Sequence, residues 1–248
     1  MLPPIFYAPT ESLVDDIITL PPDESRHAAQ VLRLPVGSLV MVVDGLGSAW
    51  RGELKSVSAR RTTIAVHNHR RNFGEPSVRL TLAVGLSSAT KLDTIIQKGT
   101  ELGVIRFVPI VTEKSKVKLE SPARARTKVS RLERVALAAI KQCRRAYRPE
   151  IATPVPMTEF LTSVDKESVN LVFHPGNGFT AVSDLELPED ARRVTALVGP
   201  EAGFSDNEAE LALAAGFTGV QLGERMLRAE TAGPVICALL MDKLGEFR

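Results

Sequence analysis

The chain has 248 residues, of which 44% are apolar and 24% charged, and its formal net charge is +2. These values are typical of a globular protein with one or two domains. The longest apolar run, Val235–Met241, is too short for a transmembrane helix, which needs about 20 residues. No basic residue precedes an apolar stretch at the N-terminus, so a signal peptide is not expected. We therefore predict a cytoplasmic protein without membrane contact.

Cysteine and histidine are too scattered to predict a disulfide framework or a metal site. Cys143 and Cys237 lie far apart in sequence, and of the four histidines only His67 and His69 are near neighbours. We expect two free thiols in a reducing compartment and no bound metal.

The small net charge conceals two oppositely charged regions. Residues 114–148 contain twelve Lys or Arg and two Glu, a local charge of +10 that leaves −8 for the remainder. Such segregation indicates an oriented surface that faces a polyanion. A long helix with one solvated basic face would produce the same pattern, and composition alone does not decide between the two.

The first 72 residues are typical of a small β-domain. Residues 39–50 predict a strand, a glycine-bearing turn and the start of a second strand. One helix interrupts the strands: Asp23 or Ser25 could cap it, its apolar face would be Ala28, Val31 and Leu32, and the segment 35–37 would end it. Several short strands with one helix predict a small β-barrel over residues 1–72.

After a turn-rich linker at 72–76, predicted strands and helices alternate, which favours an α/β domain over residues 73–248. Its sheet should be mainly parallel and covered by helices on both faces. Strands are predicted at 78–86, 104–112, 151–155, 169–174, 194–198 and 219–222, and helices at 91–102, 123–147 and 231–244.

Two glycine-bearing turns in the last fifty residues form the clearest candidate for a ligand site. Gly199–Gly203 and Leu222–Arg228 each follow a predicted strand, and Ser205 with Glu208 forms a capping box that starts the next helix. Ligands of parallel sheets bind beyond the carboxyl ends of strands. The turns match neither the dinucleotide-binding glycine pattern nor a phosphate-binding P-loop. Apolar residues beside arginines in the second turn suit an adenine ring and an anion.

These turns, taken with other short motifs in the same order, resemble the RsmE family of SPOUT methyltransferases, which methylate N3 of uridine in small-subunit ribosomal RNA. The resemblance extends over essentially the whole chain. The chain differs from the family pattern at Ala138, Arg144 and Ala202. The segments that carry it are Gly199–Phe204, Leu222–Ala232, Lys98–Gly103, Thr112–Ser115, Gln142–Arg145, Pro149–Ile151, and His27 with Val31–Arg33.

The resemblance implies a PUA-like RNA-binding barrel at 1–72 and a methyltransferase domain with a deep trefoil knot at 73–248. It also implies a homodimer formed through the knotted domain, and methylation at N3 of uridine 1498 in 16S ribosomal RNA of the small subunit. S-adenosylmethionine would be the cofactor. Its expected contacts are Phe173, His174, Leu197, Val198, Gly199, Pro200, Gly203, Leu222, Gly223, Met226 and Leu227.

The reaction suggests roles for two charged residues. Uridine N3 becomes nucleophilic when its proton leaves, and an arginine beside a ring carbonyl would stabilise the anion. We expect Arg228 to do so, unless it forms an ion pair with Glu224 or Glu230. Glu201 could accept the proton, although a carboxylate that only fixes its loop is an equally ordinary role.

Basic side chains would position the RNA through its phosphates. A buried His27 and a Trp50 that packs in the barrel, in place of RNA contacts, are the structural alternatives at those two positions. The expected RNA contacts are Arg26, His27, Arg33, Lys91, Lys98, Lys114, Lys116, Arg144 and Arg145.

Two other functions remain compatible with the sequence. One is a SPOUT methyltransferase that acts on another base or on a ribose 2′-hydroxyl. The other is an RNA-binding assembly factor that has no catalytic activity.

Overall fold

The computed structural model describes residues 2–115, 121–175 and 178–247. They form two compact units, one of Met1–Glu75 with Leu137–Arg148, the other of Pro76–Ala136 with Pro149–Arg248. The first unit thus differs from the predicted 1–72 domain, because it also contains twelve residues from the middle of the chain. Ile140 and Ala146 of that segment are fully buried in one apolar cluster with Ile5, Met41 and Val43.

The first unit is built on one six-stranded sheet with the order β1-β4-β5-β6-β3-β2. β1 pairs with β4 in parallel, and the other pairings are antiparallel. The predicted separate β-region is confirmed, whereas its closure into a barrel stays a prediction. The strands are β1 (Ile5–Tyr7), β2 (Leu13–Val14), β3 (Ile17–Thr19), β4 (Leu39–Val43), β5 (Ser48–Ser56) and β6 (Thr63–Arg71).

Strand alternation gives this sheet an apolar cluster on each face. Successive side chains of a strand point to opposite faces, so Val40, Val42 and Trp50 are buried with Phe6 on one face, while Met41 and Val43 belong to the cluster with Ile140 on the other. Trp50 is 6% exposed and stacks on His69. Packing in the core is therefore its role in this structure.

The predicted helix near residue 25 is present, but its predicted cap is wrong, and of its predicted apolar face only Ala28 is buried. α1 (Pro22–Arg26) continues into a π-helical turn, His27–Val31. Ser25 lies inside the helix, where its hydroxyl donates to the Leu20 carbonyl and accepts from the amide of Thr62. Ala28 is buried, whereas Val31 is 69% exposed. The wider π turn rotates the later residues away from the core.

The second unit is the predicted α/β domain. Its strands are β7 (Arg79–Gly85), β8 (Val104–Val111), β9 (Glu150–Ile151), β10 (Val155–Pro156), β11 (Val169–Phe173), β12 (Thr180–Ala181), β13 (Arg193–Val198) and β14 (Thr218–Gln221). Its helices are α2 (Ala89–Glu101), α3 (Pro122–Cys143), α4 (Met157–Thr162), α5 (Asp206–Ala214) and α6 (Ala229–Lys243), and the last residues of α3 belong to the first unit.

The eight strands form one sheet with the order β10-β8-β7-β13-β11-β14-β12, and β9 lies beside β8. All pairings between its described strands are parallel, which confirms the predicted sheet. One face packs against α2, α3 and α6 and the other against α4 and α5. Because parallel strands end in one direction, the loops after β7, β13, β11 and β14 lie at the same edge.

Several element boundaries differ from the prediction. The strand expected at 151–155 is two short strands, and α3 ends at Cys143 rather than at residue 147. Arg144 follows α3 with φ = +68°, a left-handed conformation that cannot continue the helix. α6 begins at Ala229, two residues earlier than predicted.

Both cysteines are free thiols, as predicted. Burial raises the pKa of the Cys237 thiol in α6 to about 12, so this group stays protonated at neutral pH. Among the described residues, none of the helices combines the length and apolarity that crossing a membrane requires.

Candidate active site

One pocket lies at the carboxyl edge of the parallel sheet, where β13, β11 and β14 are adjacent. Three loops and the start of α6 surround it. They contribute Phe173, His174, Pro175, Val198, Gly199, Pro200, Glu201, Gly203, Phe204, Leu222, Gly223, Arg225, Met226, Leu227, Ala229, Ala232 and Ile236. The lining is mostly apolar, with a few polar side chains such as His174, Glu201 and Arg225, which is typical of a small-molecule site.

The loop after β13 is fixed by close backbone contacts. A Cβ atom added to Gly85 of β7 would lie 2.3 Å from the amide nitrogen of Pro200, so only glycine lets the two segments pass. Gly203 has φ = +69°, and its amide donates to the Pro200 carbonyl. The loop therefore presents its backbone to the pocket in one defined shape.

The predicted capping box after this loop is confirmed. The amide of Glu208 donates to the Ser205 hydroxyl (3.2 Å), and the amide of Ser205 donates to the Glu208 carboxylate (2.9 Å). The same buried carboxylate accepts from the amide of Glu113 (2.8 Å). One carboxylate thus joins α5 to the turn that carries Lys114, whose Nζ donates to the Phe204 carbonyl (2.9 Å).

The loop after β14 supplies exposed apolar surface. Gly223 has φ = +100°, a conformation that glycine adopts without steric strain. Met226 is 74% exposed and Leu227 is 36% exposed, although both line the pocket. An apolar ring bound beside them would remove this surface from water at a gain of about 25 cal/mol per Å².

The loop after β11 contributes His174. Its amide donates to the Val220 carbonyl, and its Nδ1 is buried without a hydrogen-bond partner among the described residues. Burial lowers the pKa of His174 below its ordinary value of 6.5; Asp206 opposes this shift and Lys114 adds to it. The imidazole is therefore neutral at pH 7, and Nδ1 is available to a polar group of a ligand.

Ten of the eleven predicted cofactor contacts line this pocket, and Leu197 does not. Leu197 is fully buried on the opposite face of the sheet with Val172 and Ala212, because alternate residues of β13 point to opposite sides. The prediction missed Ala229, Ala232 and Ile236 of α6. Their spacing of three and four residues places them on one helical face, a signal that the sequence already contained.

Charged residues from three elements meet at the pocket edge. Nζ of Lys91 in α2 lies 3.0 Å from the Glu201 carboxylate and 3.6 Å from that of Glu230 in α6. All three side chains are at most one-third exposed. Lys91, predicted as an RNA contact, thus connects the loop after β13 to the first turn of α6.

Arg228 is the N-cap of α6, between the pocket residues Leu227 and Ala229. Its carbonyl accepts from the amides of Thr231 and Ala232, which fixes the backbone, while its side chain is exposed. Within the described residues, Arg228 forms no ion pair with Glu224 or Glu230, and Glu230 pairs with Lys91 instead. The ion pair that would compete with a catalytic role is therefore absent from this part of the chain.

Comparison with known proteins assigns the chain to a family. Residues 74–241 match the model of an RNA methyltransferase domain, and residues 20–66 match that of an RNA methyltransferase PUA domain. The chain is 31% identical to the ribosomal RNA small subunit methyltransferase E of Synechocystis over 92% of its length and 74% of the relative. The chain belongs to the ribosomal RNA small subunit methyltransferase E family.

Other members support this assignment. The Bacillus subtilis methyltransferase E is 30% identical and is aligned over 85% of this chain and 84% of its own length. The crystal structure of the Neisseria gonorrhoeae methyltransferase E bound to S-adenosylmethionine superposes with a TM-score of 0.85. It is 27% identical, and the superposition covers 97% of this chain and 98% of the other.

The basic residues predicted to bind RNA in this family member lie in several different environments. Arg26 pairs with Asp23, and Lys98 pairs with Glu101. Arg33 is exposed at φ = +50°, and His27 is half-buried against the edge of Phe6. Lys116 lies outside the described residues.

The prediction that Arg145 contacts RNA is wrong, and the side chain of Arg144 already has partners within the protein. Arg145 is 2% exposed, and its Nε and Nη2 donate to the Glu75 carboxylate at 3.0 and 2.7 Å. Glu75 also accepts from the amide of Tyr147. A buried arginine with this partner stabilises the first unit and does not reach a phosphate. Arg144 is half-buried and donates to the Pro3 carbonyl.

Proposed function

We propose that this protein methylates N3 of a uridine in the RNA of the small ribosomal subunit, at uridine 1498 of 16S RNA, with S-adenosylmethionine as methyl donor. The observation that carries the proposal is the pocket beyond β13, β11 and β14, with the exposed Arg228 between two of its lining residues. The family's name and the cofactor bound by the Neisseria relative support it.

The pocket fits S-adenosylmethionine in several respects. Gly199, Gly203 and Gly223 leave backbone groups open to a ligand, and Met226 with Leu227 offers apolar surface to an adenine ring. The unpartnered Nδ1 of His174 can hydrogen-bond a polar group of the cofactor. When bound, the cofactor supplies an electrophilic methyl group. The residues of the chain bind it, orient it and exclude water from it.

The role proposed for Arg228 follows from the charge of the nucleophile. A uridine that has lost its N3 proton shares the negative charge between its two ring carbonyl oxygens, and a guanidinium can donate to one of them. N3 lies on the pairing edge, so the uridine must be unpaired and turned out of any helix. Arg228 would touch the substrate, because its side chain is exposed beside the pocket.

Glu201 is the proposed proton acceptor. Its carboxylate lines the pocket and is held by Lys91 at 3.0 Å, an arrangement that also suits a loop-fixing role. Glu201→Gln separates the two. If Glu201 is the base, the rate of methyl transfer should fall about 100-fold or more, and high pH should restore part of that rate. A loop-fixing carboxylate predicts weaker cofactor binding and an unchanged pH profile.

The assembly implied for the enzyme is a homodimer formed through a knotted second unit. Half-buried Val235 and Leu239 on α6, whose other face is core, support a second copy at this helix. The order β13-β11-β14, with an earlier strand between two later ones, suits a chain that threads back through its own loop. Light scattering after gel filtration tests the dimer.

We also propose a cytoplasmic location, because the proposed ribosomal substrate is there.

The reaction is tested with small subunits from cells that lack this protein. Purified protein and labelled S-adenosylmethionine should place the label in N3-methyluridine after nucleoside digestion, in one position of the 16S RNA. Label in another nucleoside or in a ribose would replace the substrate assignment. Cofactor binding without any label transfer on subunits or naked 16S RNA would favour a non-catalytic assembly factor.

A further inference from the structure

A basic groove lies on the first unit's sheet, on the face opposite Val40, Val42 and Trp50 and beside the apolar cluster that contains Met41. The register places Met41, Arg51 and Asn68 side by side across β4, β5 and β6, and Ala49 beside Arg70 in the next row. Phe73, two residues after β6, completes the lining. We call these six residues the arginine groove. None of its polar residues was among the predicted RNA contacts.

Arg51 and Arg70 are available to a ligand. Both are exposed, and within the described residues neither side chain forms an ion pair or a hydrogen bond. The guanidinium of Arg70 lies 5.4 Å from the centre of the Phe73 ring. Arg144 adds a third positive charge next to the groove, because its Nη2 lies 3.0 Å from the sulfur of Met41, one of the lining residues.

Nearby acidic groups leave most of this charge uncompensated. Glu75 is bound by Arg145 and by the amide of Tyr147. Asp44 keeps its charge but is buried and outside the groove lining, where Thr10 and the amides of Leu46 and Ser48 donate to it. Glu53, two residues from Arg51 on the same face of β5, is also outside the lining and offsets one of the positive charges. The groove therefore keeps a positive potential that attracts an anion.

The combination of groups identifies the class of ligand. Free arginines bind phosphates through two parallel N–H groups. A side-chain amide such as that of Asn68 can pair with the edge of a base, and an aromatic ring or guanidinium plane can stack on its face. An acidic peptide would use only the arginines. We propose that the arginine groove binds an unpaired nucleotide of single-stranded RNA, and so is a second contact with the RNA substrate of the proposed function.

The test measures RNA binding with the full chain and without S-adenosylmethionine, by fluorescence anisotropy with a uridine-rich single-stranded oligonucleotide. Arg51→Gln with Arg70→Gln should weaken binding about 10-fold or more and reduce the salt dependence by about 1.4 in log–log slope, the value for two lost phosphate contacts. The matched control, Arg60→Gln with Arg61→Gln, removes the same charge from an exposed turn of the same unit. It should weaken binding much less.

Phe73→Leu tests stacking separately from charge, because leucine keeps the apolar packing. We expect a loss of about 5-fold or more in affinity with an unchanged salt slope. Equal losses in the groove and control pairs, an unaltered affinity of the groove pair, or equal competition by polyglutamate would overturn the proposal.

These outcomes are independent of the methylation reaction. N3-methyluridine formed by a protein whose groove variants bind RNA normally would refute the groove alone. Normal groove-dependent RNA binding without methyl transfer would refute the proposed function alone.

Discussion

The pocket at the carboxyl edge of the parallel sheet and the arginine groove of the first unit are built in opposite ways. The pocket is shaped by backbone: Gly85 passes within contact of Pro200, and Gly203 and Gly223 adopt positive φ. The groove is shaped by long side chains on antiparallel strands, and its two arginines, which form no ion pair within the described residues, are exposed. A small cofactor needs a fixed cradle, whereas a flexible polyanion tolerates an adaptable one.

This difference predicts how each region responds to substitution. Changes in the pocket should act on the methyl-transfer step or on folding, because its atoms have little freedom to adjust. Changes in the groove should act on affinity and salt dependence and leave turnover at saturating RNA intact. Four substitutions test this contrast from the pocket side.

The largest effect is expected for Arg228→Ala. Loss of a donor to a developing anion typically reduces kcat by about 10²–10³-fold, or about 2.7–4 kcal/mol. Cofactor affinity, measured by calorimetry, and RNA affinity should stay within about twofold. Arg228→Lys should restore part of the rate, since the charge remains without the planar guanidinium. Near-normal turnover of the alanine variant would remove Arg228 from the mechanism.

Gly85→Ala should destabilise the protein and distort the cofactor loop. The new Cβ would lie 2.3 Å from the Pro200 nitrogen, a backbone atom that cannot rotate away. Overpacking of this kind costs about 1–3 kcal/mol, which urea unfolding can measure.

Gly233→Ala in α6 is the matched control for Gly85→Ala, because its new Cβ would make ordinary contact with Ile95 at 3.4 Å. We expect it to be neutral or stabilising by up to about 1 kcal/mol from helix propensity. Equal destabilisation by both variants would contradict the close-approach argument.

Lys91→Met should have a moderate effect. It leaves the Glu201 and Glu230 carboxylates without the ammonium that lies between them. Partly exposed pairs of this kind contribute roughly 0.2–1 kcal/mol to stability, so the fold should persist while methyl transfer falls several-fold. Lys98→Met on the same helix removes an outward pair with Glu101 and serves as control. If Lys91→Met and Lys98→Met lost similar amounts of turnover, Lys91 would act only as one of several positive charges that attract RNA.

The smallest expected effect is the pH dependence caused by His174. Because burial lowers the pKa of His174, the unfolded chain binds more protons near pH 6 than the folded one. Its contribution to stability is complete above pH 6.5 and is lost as the pH falls from there through the lowered pKa. The melting temperature of His174→Asn should therefore change less between pH 7.5 and 5 than that of the unchanged protein. Identical pH profiles would contradict this assignment.

Local sequence signals predicted much of the scaffold because they depend on neighbours in the chain. The apolar run of β7, the spacing of Leu92, Ile95 and Ile96 in α2, and the capping box at Ser205 are all present. The same reasoning failed for Ser25, whose hydroxyl is used by Thr62, a residue distant in sequence. A cap is a local motif, but its availability depends on tertiary partners.

The sequence by itself determined the alternation of strands and helices and the position of both glycine turns, since chain periodicity and backbone chemistry specify them. The family resemblance added ten of the residues that line the pocket. Only the tertiary structure decided what charged side chains meet. It buries Arg145 on Glu75 and places Lys91 between Glu201 and Glu230. Within the described residues it leaves Arg51 and Arg70 without ion pairs, with the guanidinium of Arg70 over the Phe73 ring. Long side chains find partners through space, and strand order and register, which sequence spacing does not reveal, set those distances.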